Sequence, residues 1–152
     1  MPDAPLHVFE NITRVLPSLE PNERRSECGR LILAPDALHY VQGWETHEQR
    51  SGSTGILGAV LDLAARSPDV VDTRREGQRL LAEVAGLPPA EQVRSIAGSV
   101  TVPVADIDTA RLGFFLSDLK LVTESRGDTF HFLTAFAHRR QIRAWLATLP
   151  RR

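Results

Sequence analysis

The sequence contains almost none of the residues that build disulfide frameworks or cysteine-ligated metal sites. Cys28 is its single cysteine, so no disulfide can form within the chain and a zinc site made of cysteines is excluded. Lysine is nearly absent as well, because seventeen of the eighteen basic residues are arginine and Lys120 is the exception. We attribute this usage to the codon bias of a genome rather than to seventeen separate demands for anion binding.

The chain also lacks strong net charge, long apolar runs and a secretory start. A formal net charge of −1 and a pI near 6.5 give no general attraction to nucleic acid or to an anionic membrane. The aromatic residues are few and fall at core spacing, which argues against a base-stacking platform. No run approaches the roughly 18 apolar residues of a spanning helix, and residues 1–10 do not resemble a signal peptide. We therefore expect a cytoplasmic protein with no nucleic-acid partner.

The length of 152 residues suits one domain that buries its own core. Residues 1–26 contain four prolines and end in a polar stretch, so we predict an N-terminal arm or loop there. Leu6, Val8 and Phe9 leave open whether a short strand or a helical turn forms within it. The single domain is predicted over residues 27–150.

Period-two alternation predicts short strands on either side of a helical block. The turn residues Pro35 and Asp36 join the first two as a hairpin, and Arg126-Gly127-Asp128 joins the last two. The strands are predicted at residues 29–34, 37–42, 100–104, 107–115, 119–124 and 129–133.

The block at about 54–98 carries helical signals. Residues 56–65 are apolar almost all round, residues 74–85 are amphipathic, and Pro88-Pro89 opens a short third helix. A last helix begins near residue 135, with Thr134 as its N-cap. Its apolar stripe is predicted to contain Phe136, Ile142, Trp145, Leu146 and Leu149, with Arg139, Arg140 and Arg143 largely off it.

The order of these elements resembles the pleckstrin-homology-like (PH-like) superfamily, in particular GRAM-type and bacterial PH-like domains. The resemblance is carried by 31–38 (LILAPDAL), 102–107 (VPVADI), 119–123 (LKLVT), 128–132 (DTFHF) and a terminal helix containing Trp145. It implies an α+β fold, a bent antiparallel sheet or barrel whose opening is capped by the C-terminal helix, with a helical insertion at 54–98. The family has seven strands, and the sequence predicts only five or six. The 34–37 loop lacks the basic cluster of phosphoinositide-binding members, so that ligand is disfavoured.

No constellation of residues amounts to an active site. The histidines form neither an HExxH nor an HxH pattern, and no serine lies in a GxSxG elbow. A partly buried, inert thiol is the simpler interpretation of Cys28. We expect no catalytic residue, no metal and no cofactor.

Three sets of residues are candidates for binding. Leu57 and Leu61 lie on the apolar helix, which must bury itself against the sheet or against a second copy. Tyr40 and Trp44, with Phe114 or Phe115, would line a pocket between the helical block and the sheet. The arginines form the densest positive patch: Arg139, Arg140, Arg143, Arg151 and Arg152.

These sets support three hypotheses. The first is a non-enzymatic PH-like binding or scaffold module acting through protein–protein contact or self-association. The second is a ligand-binding or enzymatic α+β domain that uses the pocket. The third is peripheral membrane attachment through the apolar helix and the arginine patch.

Overall fold

The computed structural model describes residues 6–17, 23–49, 68–114 and 117–151, and the statements below concern those residues. They form seven strands, three α-helices and two short 3-10 helices. In chain order, the strands are β1 (His7–Leu16), β2 (Glu23–Leu33), β3 (Ala37–Gln49), β4 (Val100–Pro103), β5 (Ile107–Leu112), β6 (Asp118–Thr123) and β7 (Thr129–Leu133). The α-helices are α1 (Pro68–Val84), α2 (Pro89–Ser95) and α3 (Arg139–Ala147), and the 3-10 helices are Val104–Asp106 and Phe136–His138.

The strands form one antiparallel sheet in the order β4-β3-β2-β1-β7-β6-β5. A flat sheet would hold its two edges about 29 Å apart, given the usual spacing between strands. The chain nevertheless passes from Pro103 at one edge to Ile107 at the other through a single 3-10 turn, which can span about 14 Å at most. The sheet must therefore curl until its edges approach. No ladder joins β4 to β5 in the described residues, so the sheet stays open.

The concave face of the curled sheet holds the main core. Residues from both halves of the sheet share this cluster with two residues of α3: Phe9, Ile12, Leu31, Leu33, Leu38, Tyr40, Val102, Ile107, Leu119, Leu121, Phe130, Phe132, Ile142 and Trp145. Trp145 is buried, and its Nε1 donates a 2.8 Å hydrogen bond to the carbonyl of Ala34. This hydrogen bond joins the terminal helix to the β2–β3 turn. The burial of Trp145 is what its place in the apolar stripe predicted.

A second, smaller core lies on the convex face, between β2–β3 and the helices α1 and α2. It contains Ile32, Val41, Trp44, Leu81 and Val84. Gly77 of α1 lies directly on Gly43 of β3, so closely that a Cβ at Gly77 would be 2.2 Å from the Gly43 carbonyl oxygen. Two facing glycines thus allow the helix backbone to approach the strand backbone.

A buried arginine ties the helical pair to the sheet. Arg30 of β2 is 6% exposed, and its Nε donates to Glu10 Oε1 at 2.5 Å. Its Nη1 donates to the Leu81 carbonyl of α1 at 3.1 Å and to Gln92 Oε1 of α2 at 2.8 Å. Because a buried cation is tolerated only when it is paired and hydrogen-bonded, this network ties α1 and α2 to one place on the sheet.

Of the two alternatives left open within the predicted N-terminal arm, the structure shows a strand, which is part of the sheet and not a separate arm. His7–Leu16 is a strand, paired with both β2 and β7, and β2 already begins at Glu23. Asn11 has a φ of 56° and lies in a bulge between Phe9 and Ile12. This bulge turns both apolar side chains onto the same face although they are three residues apart, which breaks the alternation that marks a strand in sequence.

Other boundaries also differ from the sequence predictions. Helix α1 begins at Pro68, six residues before the predicted start, and β3 extends to Gln49. Thr134 is not an N-cap, because its hydroxyl donates instead to the Ser117 carbonyl and the helix has no side-chain cap. The apolar helix predicted at 56–65 lies outside the described residues. Within the described ranges, no helix is long and apolar enough to cross a membrane.

Candidate interaction surface

Tyr40 and Trp44 do not line one pocket. Tyr40 is fully buried in the concave core, where its hydroxyl donates to the Ile12 carbonyl at 3.3 Å. Trp44 is 8% exposed in the convex core, with the Arg74 guanidinium 5.5 Å from its ring centroid. Phe114 lies at the end of β5 and is 74% exposed, and Phe115 is outside the described residues. Tyr40 and Trp44 therefore do not share a pocket in the part of the chain that the structure describes, which excludes residues 54–67 of the helical block.

A β-bulge at Gly43 explains why the two aromatic side chains point in opposite directions. The register of β2 and β3 shifts there, so that Cys28 pairs with Trp44 while Gly29 pairs with Gln42. The extra residue reverses the side-chain alternation after Gln42. Simple period-two counting places residues 40 and 44 on the same face and so fails at this point.

The arginines of the predicted patch also differ in their exposure to solvent. Arg140 and Arg143 are exposed on α3, but Arg139 is 7% exposed. Its Nη1 donates to the Gly113 carbonyl at 2.6 Å and to Ser117 Oγ at 3.4 Å. Arg139 is thus a structural link between α3 and the β5–β6 loop, not a member of a solvated helix face.

Two exposed phenylalanines flank this link. Phe114, next to Gly113, is 74% exposed, and Phe136, in the 3-10 helix that precedes α3, is 76% exposed. The Arg139 guanidinium lies 5.6 Å from the Phe136 ring centroid while it binds the Gly113 carbonyl. The Arg139 side chain thus contacts Phe136 and the residue that precedes Phe114 in the chain, which places the two phenylalanines in the same region of the surface.

The loop that carries Phe114 is held firmly at both ends. Gly113 donates its backbone N–H to the Asp118 carbonyl at 2.8 Å, and the Thr134 backbone N–H donates to the Ser117 carbonyl at 3.1 Å. Ser117 has a φ of 48°, a conformation that costs a non-glycine residue about 1 kcal/mol or more and persists only where neighbours enforce it. Gly113 and Ser117, the described residues of this loop on either side of Phe114, are therefore held in place by backbone hydrogen bonds.

The exposed side of α3 continues this surface with positive charge. Phe136, Arg140 and Arg143 are spaced four and three residues apart in a 3-10 helix that leads directly into α3, so they lie along one side, away from buried Ile142 and Trp145. Residues 129–152 contain five arginines and no aspartate or glutamate. We call Phe114, Phe136, Arg140 and Arg143 the phenylalanine–arginine surface.

Sequence reasoning identified the arginines but misplaced both phenylalanines. Phe136 was predicted to be on the apolar stripe, but it lies six residues before Ile142 and nine before Trp145, a spacing that places it off that stripe, and it is 76% exposed. Phe114 was predicted to line a pocket. One available signal was the run Gly113-Phe114-Phe115, where two bulky residues follow a glycine at the end of a strand.

The groups that most often supply chemistry are placed unfavourably for it. Burial raises the pKa of the Cys28 thiol, with the Arg74 charge opposing this, so the thiolate is disfavoured. Burial lowers the pKa of His39, against the attraction of Asp36, and its Nδ1 lies 2.9 Å from Thr101 Oγ1. In the described part of the chain, no three His, Cys, Asp or Glu side chains converge as metal ligands.

A cleft of about 210 Å³ opens at the seam where the sheet edges approach. It lies between β4 and the β6–β7 turn and is lined by Val100, Thr101, Val102, Pro103, Asp106, Thr123, Ser125, Arg126, Asp128 and Phe130. The Asp106 carboxylate is already engaged within the chain, because it accepts hydrogen bonds from the backbone and hydroxyl of Ser125. The cleft is also smaller than the roughly 300–1,000 Å³ of ordinary ligand pockets.

Leu57 and Leu61 lie outside the described residues. Of the candidate binding residues named from the sequence, Phe114, Arg140 and Arg143 contribute to the phenylalanine–arginine surface.

Comparison with known proteins adds little to this geometry. No protein-family model matches the chain, and no curated protein matches it. Among solved structures, it is similar to the crystal structure of the C-terminal domain of an unknown protein from Leishmania infantum. That similarity has 9% sequence identity and a TM-score of 0.42, and it covers 95% of this chain and 84% of the other. Similarity at this level carries no argument about family or function.

Proposed function

We propose that this protein is a non-enzymatic PH-like binding module that docks a protein partner through the phenylalanine–arginine surface. The PH-like assignment is supported by the element order: seven antiparallel strands curl around one core, and a C-terminal helix packs against it. Strand β1 supplies the element that the sequence prediction lacked. The helices α1 and α2 are then an insertion between the third and fourth strands.

The observation that carries the binding function is the exposure of Phe114 and Phe136. Burying a phenylalanine side chain contributes about 1.5–3 kcal/mol, and two of the five phenylalanines that the structure describes are about three-quarters exposed. A partner that covers them gains apolar burial, which is the physical basis of a binding hot spot.

Selection from a random-peptide library tests this function. The immobilised wild-type protein is expected to enrich peptides that bind measurably in solution. Their binding should be lost in the double variant Phe114→Ser and Phe136→Ser, because the apolar anchors are gone. Leu87→Ser is the matched control, since Leu87 is an exposed apolar residue, 39% exposed, in the connection between α1 and α2. Failure to enrich peptides, or equal binding by the double variant, would contradict the proposal.

The cleft at the seam favours one alternative, a small-molecule-binding domain. A ligand at a hundred times its dissociation constant would raise the unfolding free energy by about 2.7 kcal/mol. A thermal-shift panel of metabolites and metal ions therefore separates the two functions. We expect no member of the panel to shift the melting temperature by that amount, and a specific shift that Thr101→Trp in the cleft abolishes would support the alternative instead.

A further inference from the structure

The phenylalanine–arginine surface also indicates the chemistry of its partner. Arg140 and Arg143 are exposed on neighbouring turns of α3, and among the described residues neither has a carboxylate partner. Other arginines do: Arg14 pairs with Glu27, and Arg79 with Glu76 and Glu83. Two guanidinium groups beside an apolar anchor are suited to bind carboxylates, which they can hold through two parallel hydrogen bonds each.

The same charges argue against a second copy of this chain as the occupant. A two-fold symmetric dimer would place the surface against itself, so Arg140 and Arg143 would face the same arginines of the other copy. The absence of any acidic residue from 129 to 152 leaves no nearby carboxylate in sequence to compensate. Like charges at a desolvated interface oppose association.

We infer that the partner segment is acidic: an apolar side chain that covers Phe114 and Phe136, flanked by aspartate or glutamate that pairs with Arg140 and Arg143. This inference rests on the proposed function and adds the partner's charge to it. The overall charge of −1 does not disfavour such a partner, because screening at physiological salt limits each interaction to about 8 Å. The affinity for an acidic segment therefore depends on the positive charges of α3 and not on the net charge of the chain.

The test uses the most strongly enriched library peptide and a second version in which every Asp and Glu is replaced by Asn and Gln. Fluorescence anisotropy with the full chain is expected to show about tenfold weaker binding of the amide version, as two surface ion pairs imply. The difference should shrink at high salt. An enriched peptide without acidic residues, or equal affinity of both versions, would overturn the inference while leaving the proposed function intact.

Charge reversal provides the second arm. The double variant Arg140→Glu with Arg143→Glu should bind the acidic peptide more weakly than the wild-type protein does. It should bind more tightly a version of the peptide with lysine in place of its acidic residues. Arg75→Glu with Arg94→Glu makes the same change in net charge on the exposed faces of α1 and α2 and should leave the order of affinities unchanged. If both double variants change the peptide affinities equally, the net charge of the protein explains the effect and the inference fails.

Vesicles of phosphatidylcholine with phosphatidylserine separate a lipid surface from an acidic protein segment. We expect no co-sedimentation of the wild-type protein with these vesicles at physiological salt. Co-sedimentation that is lost in Phe114→Ser with Phe136→Ser, together with failure of every peptide to bind, would overturn both the acidic-peptide inference and the protein-docking function in favour of a membrane.

Discussion

The contact between Gly77 and Gly43 predicts that Gly77→Ala destabilises the protein although alanine is the better helix former. Taken alone, the substitution should stabilise α1 by up to about 1 kcal/mol. The new methyl group, however, would lie 2.2 Å from the Gly43 carbonyl oxygen and 3.1 Å from the Trp44 ring. Ordinary contact requires about 3.5 Å, and the obstacle is strand backbone, which cannot rotate away. The helix must therefore move back by about 1 Å.

Overpacking costs about 1–3 kcal/mol, and a clash with backbone at 2.2 Å belongs in the upper part of that range, about 2–3 kcal/mol, which outweighs the gain of about 1 kcal/mol in helix propensity. We expect Gly77→Ala to lower the free energy of unfolding by about 1–2 kcal/mol. Urea denaturation followed by far-ultraviolet circular dichroism measures this as a lower midpoint with an unchanged slope. Near-ultraviolet circular dichroism should also change, because Trp44 packs at the contact.

Gly86→Ala is the matched control. Gly86 has no atom within 4 Å of its Cβ position and follows the same helix. Alanine there should be neutral or stabilise by about 0.4–1 kcal/mol through the unfolded chain. A Gly77→Ala protein as stable as the Gly86→Ala protein would refute the packing of α1 on β3.

Two further predictions concern the core and its pH dependence. Trp145→Phe removes the donor to the Ala34 carbonyl and should cost about 1–3 kcal/mol of unfolding free energy; stability within error of wild type in urea denaturation would contradict this role for α3. Burial lowers the pKa of His39 in the folded state below its usual value near 6.5. Between these two pKa values the unfolded state binds more protons than the folded state. The free energy of unfolding therefore falls as the pH falls from about 6.5 through the lowered folded-state pKa. His39→Gln, which keeps an amide beside Thr101, should make the loss of stability between pH 7 and pH 5 shallower, and an unchanged slope would show that His39 does not contribute to it.

Much of the fold could be predicted because local patterns there agree with tertiary packing. The Pro35-Asp36 turn, the alternation around Phe130 and Phe132, and the stripe of Ile142 and Trp145 each depend on period and turn chemistry alone. The structure confirms an α+β chain with antiparallel strands and a C-terminal helix. It corrects the prediction where a bulge interrupts alternation, as at Asn11, since one inserted residue exchanges the two faces of a strand.

The candidate site could be predicted only in part. Exposed arginine on the last helix follows from its period, which identified Arg140 and Arg143. The burial of Arg139 does not, because it depends on a carbonyl at Gly113, twenty-six residues away. The exposure of Phe136 follows from helical spacing too, which groups it with Arg140 and Arg143 and not with Ile142 and Trp145, although the sequence prediction placed it on the apolar stripe.

The amino-acid sequence by itself thus determined the class of fold, the positions of most strands and helices, and the positive charge of the C-terminal segment. Those features arise from side-chain periodicity and composition, which are local. Tertiary structure alone decided which side chains face each other. The Gly43 bulge separated Tyr40 from Trp44, the curl of the sheet opened the cleft at the seam, and Arg139 brought Phe114 and Phe136 to one surface. Each of these depends on contacts between residues distant in sequence, for which no local pattern exists.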